Sequence, residues 1–143
     1  MRRNARLQYA ALPYAVRNGR LEVLLLTSRE TRRWVIPKGW PEKKVKPAVL
    51  AAREAYEEAG LVGRVSHKPA GEYAYGKQMK SGKTVACTVD VFLFEVGQEL
   101  NDWPEKGQRE KCWTTPDDAA GLVQEPGLAD LLLRLDVLLG RAP

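Results

Sequence analysis

The chain has little with which to build a sulfur or imidazole site: two cysteines, Cys87 and Cys112, far apart in sequence, and a single histidine, His67. That scarcity excludes a His/Cys metal cluster and a disulfide framework, and the cysteines read as reduced core thiols of a cytoplasmic protein, a disulfide between them being the alternative. No apolar run approaches the roughly 20 residues of a membrane-spanning helix. The opening stretch, MRRNARLQYAALPYAV, has no sustained apolar segment before Pro13, so neither a membrane span nor a cleaved leader is expected. Internal repeats, low-complexity tracts and linkers are missing as well. One domain over residues 1–143 is the expectation, with 44% hydrophobic residues to fill its core.

Charge is what the sequence has in quantity. Lysine and arginine number 23 against 18 aspartates and glutamates, a net charge of +5 that suits nucleic acid, an acidic surface or a phosphorylated small molecule. The charges are also clustered. From residue 29 to 46 stand Arg29, Arg32, Arg33, Lys38, Lys43, Lys44 and Lys46, against only Glu30 and Glu42, and directly behind them comes the acidic segment REAYEEAG.

The pattern along the chain places both clusters. After a short basic arm, QYAALPYAVRNGRLEVLLLTSR holds two apolar runs around Asn18-Gly19, which predicts an antiparallel hairpin. RWVIP is a third short strand stopped by Pro37, and from there to Lys46 the prolines and Gly39 predict a loop. A helix is predicted over residues 47–60, with Pro47 suited to its first turn and Gly60 to its C-terminal cap. AGEYAYGKQ and KTVACTVDVFLFEV form a second hairpin about Ser81-Gly82, and REKCWTT adds one more strand. A short helix is predicted over residues 116–123. The leucines at 128, 131, 132, 135, 138 and 139 then mark a final helix that docks on the core, a dimer seam being the alternative. Strands and helices in mixed order predict an α/β sandwich.

Within the predicted acidic helix, the alanines at 48, 51, 52, 55 and 59 share one face, small enough for a sheet to approach the helix backbone closely. Glu54, Glu57 and Glu58 stand at i, i+3 and i+4, so their carboxylates gather on one flank. Carboxylates held together raise one another's pKa unless something positive lies between them, and oxygen-only ligands suit a hard divalent cation. Arg53, four residues before Glu57, is placed to pair with it. The plainer reading of REAYEE alone is a solvated helix face.

The spacing of these residues resembles the Nudix box, G-x5-E-x7-R-E-U-x-E-E-x-G-U with U apolar: Gly39, Arg53, Glu54, Ala55, Glu57, Glu58, Gly60 and Leu61 all fall on its positions. Val45 falls where the box has its first glutamate. The resemblance implies an α/β/α sandwich with a mixed β-sheet and the hydrolysis of diphosphate linkages with Mg2+ or Mn2+ held by Glu54, Glu57 and Glu58. Glu57 is ligand or base; among Glu99, Glu105 and Glu110, acids of a later segment that are candidates for the base, Glu105 ranks first because DWPEKGQ is loop-like. Arg53 and Glu105 complete the catalytic candidates.

PKGWPEKK in the loop is similar to the branch that includes diphosphoinositol polyphosphate and dinucleoside polyphosphate hydrolases, and GQREKCW is loosely similar to a segment of that branch. Arg33, Lys38, Gly39, Lys43 and Lys44 are the candidates for binding a polyanionic substrate, with Lys77, Lys80 and Lys83 at the second hairpin tip as further phosphate contacts or a free tip. Tyr73, Tyr75, Trp40 and Trp103 are candidates for stacking on a base. Nucleoside triphosphates, nucleotide sugars and RNA 5′ ends are the alternative substrates, and a degenerate module that binds nucleotide or RNA without cleaving it is the competing class. A monomer or a homodimer is expected.

Overall fold

The computed structural model describes residues 6–141; the basic arm expected at the N-terminus lies, apart from Arg6, outside them. The sheet is organised by two long strands, β1 (Arg6–Arg17) and β7 (Thr84–Glu99), which run parallel in register from Arg6 against Cys87 to Tyr14 against Glu95. On the outer side of β1 lies β2 (Arg20–Thr27), joined through a turn in which Asn18 and Gly19 have φ of 53° and 77°, as the expected hairpin requires. Strands β3 (Trp34–Val35) and β8 (Lys111–Thr114) both pair with β2. On the other side, β5 (Leu61–Val65) and β6 (Gly71–Gln78) pair antiparallel with β7. One parallel pairing among antiparallel ones makes the sheet mixed.

Two pieces depart from the expected pattern. The segment after Pro37 is not all loop, because β4 (Lys38–Gly39) adds to β1 opposite Tyr9 and Ala10. Two residues bounded by prolines carry no alternation from which a strand can be read. The final helix is in fact α3 (Pro126–Leu133) followed by the single turn α4 (Leu135–Leu138), broken at Arg134. The leucine spacing survives the break, so Leu128, Leu131, Leu132 and Leu135 are all buried.

Alternation along the strands sends side chains to two cores. Val23, Leu25, Ala10, Leu12 and Val91 face α2 (Pro116–Leu122), α3 and α4. Leu24, Leu26, Ala11, Phe92 and Phe94 face α1 (Pro47–Ala59). The result is an α/β/α sandwich. Ala51, Ala55 and Ala59 of α1 are wholly buried on that face, so the helix lies close on the sheet and its orientation is fixed by backbone-near contacts rather than by long, adaptable side chains.

The end of α1 is tied down from outside. Gly60 caps it in the left-handed conformation, φ 70°, and its carbonyl accepts from the Leu100 amide at 2.8 Å. Lys111 of β8 donates to the Ala59 carbonyl at 2.7 Å, pairs with Glu99 at 3.0 Å and lies 4.4 Å over the Trp103 ring. The Trp103 ring in turn covers Gly60. A Cβ at residue 60 would come within 2.6 Å of that ring. Gly60→Ala is therefore expected to cost at least about 1–2 kcal/mol, the ordinary penalty of a left-handed alanine, read as a lowered denaturant midpoint at unchanged slope. Wild-type stability in this variant would mean that the cap and its tryptophan do not hold α1.

Candidate active site

The loop β4 and the helix α1 meet at one point. Gly39 lies against Glu54 so closely that a Cβ there would stand 2.5 Å from the glutamate's Cδ. A side chain at residue 39 would push the Glu54 carboxylate from its present place beside the backbone. One turn further along α1, Glu58 is buried, 6% exposed, and its carboxyl hydrogen bonds with that of Glu54. Burial pushes Glu58 up to about 8, with Glu54 adding to the rise and Arg109 and Lys38 opposing it. Glu54 is raised too, first by burial and then by the neighbouring charges of Glu57, Glu105 and Glu42, while its bond to Glu58 works the other way. The pair therefore resists carrying two negative charges at once.

The pair opens into a cleft of about 790 Å³. Glu105 joins Glu54 and Glu58 at its acidic end, and Arg29, Arg33, Lys38, Lys77 and Lys80 line the remainder. Trp40 stands on the rim, 37% exposed. Tyr75 also lines the cleft, donating to Gln8 Oε1 at 2.6 Å with Lys38 Nζ 5.2 Å over its ring. Lys38 is lowered by burial, with Glu58 and Glu125 pulling the other way.

The other sequence candidates are spread around this centre. Glu57 does not line the cleft; its carbonyl accepts the Glu105 amide at 3.0 Å, and its charge reaches Glu54. Arg53 does not pair with Glu57 as expected but donates to Glu42 Oε1 at 3.0 Å, because the loop before α1 folds back and brings that closer acid to it. Lys43 and Lys44 are exposed and lie outside the cleft lining. Of the later acids, Glu99 is held below the ordinary range, against the opposing effect of burial, by bonds from Trp113 and Lys111, and Glu110 pairs with Arg32 at 3.0 Å. Glu105 alone of the three lines the cleft. Tyr73 is buried in the core and Trp103 on Gly60, which leaves Trp40 and Tyr75 as the aromatic surfaces that face a ligand. His67 is exposed in a connection away from the cleft.

Two residues at this centre were not singled out from the sequence. Arg109, its side chain 10% exposed, lies between Glu58, 3.8 Å away, and Glu105, 3.1 Å away, and also donates to the Thr27 carbonyl at 3.2 Å. Its spacing of four residues from Glu105 was the available signal. Glu125, 7% exposed, faces Arg33 at 3.9 Å while its other oxygen has no partner. A glutamate between two apolar helical segments, VQEP, gave no comparable warning, since the residue at a helix start is ordinarily solvated.

Helices on both faces of a mixed sheet, with a paired-carboxylate helix opening on a basic cleft, define an α/β/α sandwich with an acidic box. The family model described as the NUDIX domain matches residues 6–135, and the chain belongs to the Nudix family. It is 34% identical over 106 residues to Nudix hydrolase 12, mitochondrial, of Arabidopsis thaliana, covering 72% of this chain and 52% of that protein. It is 32% identical over 119 residues to diphosphoinositol polyphosphate phosphohydrolase 2 of Rattus norvegicus, covering 80% and 62%. The chain spans about half to two thirds of the length of the Arabidopsis relatives it matches. The crystal structure of a C. elegans Ap4A hydrolase has the same fold, with a TM-score of 0.71 at 19% identity over 94% of this chain and 98% of that one.

The raised Glu58 gives a pH prediction for the metal-free protein. A carboxyl whose folded pKa lies above its unfolded value stabilises the fold fully below the unfolded value, and that contribution is lost as pH rises through the folded one. Melting temperature measured with chelator present should fall between about pH 4.5 and 8, and Glu58→Gln, which needs no proton, should flatten the slope. An equal slope in wild type and variant would place the proton elsewhere.

Proposed function

We propose that this protein is a divalent-metal-dependent pyrophosphohydrolase that cleaves a phosphoanhydride bond in a highly phosphorylated small molecule, of the diphosphoinositol polyphosphate or dinucleoside polyphosphate type. The observation that carries the reading is the carboxyl pair of Glu54 and the buried Glu58 at the head of a cleft whose remaining walls are basic. Two carboxyls that resist ionising together are suited to accept a cation between them.

The donor chemistry fits Mg2+ or Mn2+. The ligands are carboxylate oxygens, and the half-open cleft leaves room for the waters that such an ion retains. No group of three or more ligating side chains is preassembled among the described residues. Glu54 and Glu58 form the nucleus of the site, and Glu57 and Glu105 are the further acids whose charge reaches Glu54. When bound, the ion supplies charge neutralisation of the bridging phosphates and activation of a water for in-line attack on phosphorus.

The chain's own groups do the rest. Arg33 and Lys38 bind phosphate oxygens along the cleft wall, Arg33 fixed by Gln124 at 3.1 Å and backed by Glu125. Lys38, backed by Glu58 and Glu125, joins the acidic end of the cleft to its basic end. Gly39 leaves the backbone bare where the phosphate chain passes Glu54. Glu105, on a loop tied to α1 through the Glu57 carbonyl and lining the cleft, is the acid we assign to take a proton from the attacking water. The relatives named diphosphoinositol polyphosphate phosphohydrolases, at 32% identity, support the choice of substrate class.

The test is product chromatography after incubation with Mg2+, with an EDTA control, of an inositol pyrophosphate, diadenosine polyphosphates, nucleoside triphosphates and nucleotide sugars in parallel. Metal-dependent cleavage of the first or second is expected. Glu58→Gln and Glu57→Gln should each lower turnover, Glu58→Gln on the order of a hundredfold, with circular dichroism unchanged. Cleavage of nucleotide sugars alone would reassign the substrate, and full activity in both variants would remove the acidic box from the reaction.

A further inference from the structure

Arg109 occupies an unusual place for an arginine. It comes from the loop before β8 rather than from the acidic helix, it is nine-tenths buried, and it enters the acidic end of the cleft between a helix acid and a loop acid. Its bonds are unequal. Nε and Nη2 hold Glu105 Oε1 at 3.2 and 3.1 Å, and Nη1 holds the Thr27 carbonyl at 3.2 Å, whereas Glu58 Oε1 is 3.8 Å from Nη2, too far for a hydrogen bond. Three contacts fix the guanidinium to the loop and to β2. The fourth is only an electrostatic neighbour.

A guanidinium keeps its charge at every working pH, so it cannot withdraw by deprotonating. A divalent ion on Glu58, once the carboxyl has given up its proton, would sit about 2.1 Å from its oxygen, on the carboxylate that Arg109 faces at 3.8 Å and whose ionised form it favours. Both cations are then drawn to one acid, and at such separations their like charges repel. The anchored contacts to Glu105 and Thr27 do not depend on Glu58, so that contact can be released alone.

Resting on the metal-dependent reading above, we propose that Arg109 is a positioning residue that holds the counter-charge of Glu58 until a divalent cation displaces it from that carboxylate, while it keeps Glu105 in place. It acts as an internal competitor for the metal. The consequence is weaker metal binding in the absence of substrate, and a guanidinium edge left facing the cleft once the metal has entered. A substrate phosphate that accepts from that edge relieves the repulsion, so polyanion and metal bind cooperatively.

The experiment is Mn2+ binding to the full chain without substrate, read as the loss of the free-ion electron paramagnetic resonance signal, for wild type, Arg109→Gln, Arg109→Lys and Glu58→Gln. Arg109→Gln should bind Mn2+ about tenfold more tightly, by removal of a competing charge. Arg109→Lys keeps the charge but loses the fork that anchors it, and should fall between. Adding inorganic pyrophosphate should tighten Mn2+ binding by wild type more than by Arg109→Gln. If Mn2+ binds wild type and depends on Glu58, but Arg109→Gln binds it equally or more weakly, then Arg109 assists the metal and the proposal fails while the metal site stands. If neither wild type nor either arginine variant binds Mn2+, the metal-dependent reading itself falls and takes the proposal with it. Should Arg109→Gln not fold, as judged by its melting curve, Arg109→Lys decides on the same criterion.

Discussion

Everything at the site depends on one buried contact, the carboxyl of Glu58 against that of Glu54. Two acids a helical turn apart on an exposed face would separate in water and cost little. Here neither can. Gly39 closes one side of Glu54, Glu58 is buried with Arg109 beside it, and the alanines of α1 give the helix no slack with which to lean away. Burial and neighbouring acids raise both carboxyls, so holding them together favours a positive partner, whether a proton or a cation.

The remainder of the architecture keeps α1 from moving. Its first turn begins at Pro47 with no side-chain cap, so the N-terminal end contributes little rigidity. The C-terminal end does the work. Gly60, Trp103, Lys111 and Glu99 form a clasp in which backbone carbonyls of the last turn are satisfied by groups from β8 and from the loop after β7. The same loop carries Glu105 and Arg109. A segment that caps the helix therefore also delivers a loop acid and its arginine to the helix acids, and stability and site geometry are set by the same contacts.

Much of this was legible in the chain and some was not, for identifiable reasons. The apolar runs of β1, β2 and β7 are legible because each strand buries both faces against helices, and the alanine stripe and leucine spacing name the faces that cover them. The acidic box was legible by spacing. What sequence could not show is which long side chain reaches which acid. Arg53 lies one helical turn from Glu57 yet turns to Glu42, eleven residues back, because the loop folds against the helix. Arg109 reads as one more basic residue in GQREKCW until β8 pairs with β2 and carries it over Thr27. Lys43 and Lys44 attract attention by their density, and density says nothing about direction; Arg33 and Lys38 line the cleft, Arg33 directly before β3 and Lys38 within β4.

The departure at Val45 can be weighed in the same terms. Position 45 does not line the cleft; it is partly buried in the turn before α1, its amide bonded to the Glu42 carbonyl at 3.2 Å. Glu42 does line the cleft, pairs with Arg53 and adds its charge to those that raise Glu54. The turn thus keeps one acid beside Arg53 and near Glu54, displaced by three residues, while an apolar side chain packs where the box has its first glutamate. An arginine on the acidic helix needs a carboxylate partner more than it needs that carboxylate at a given register, since a partly exposed pair tolerates a shift of its backbone origin. By that reasoning the electrostatic balance at the head of the cleft is retained: the acids Glu42, Glu54 and Glu105 stand against Arg53, Lys38 and Arg109, and the raised carboxyl of Glu58 is left to a proton or a cation.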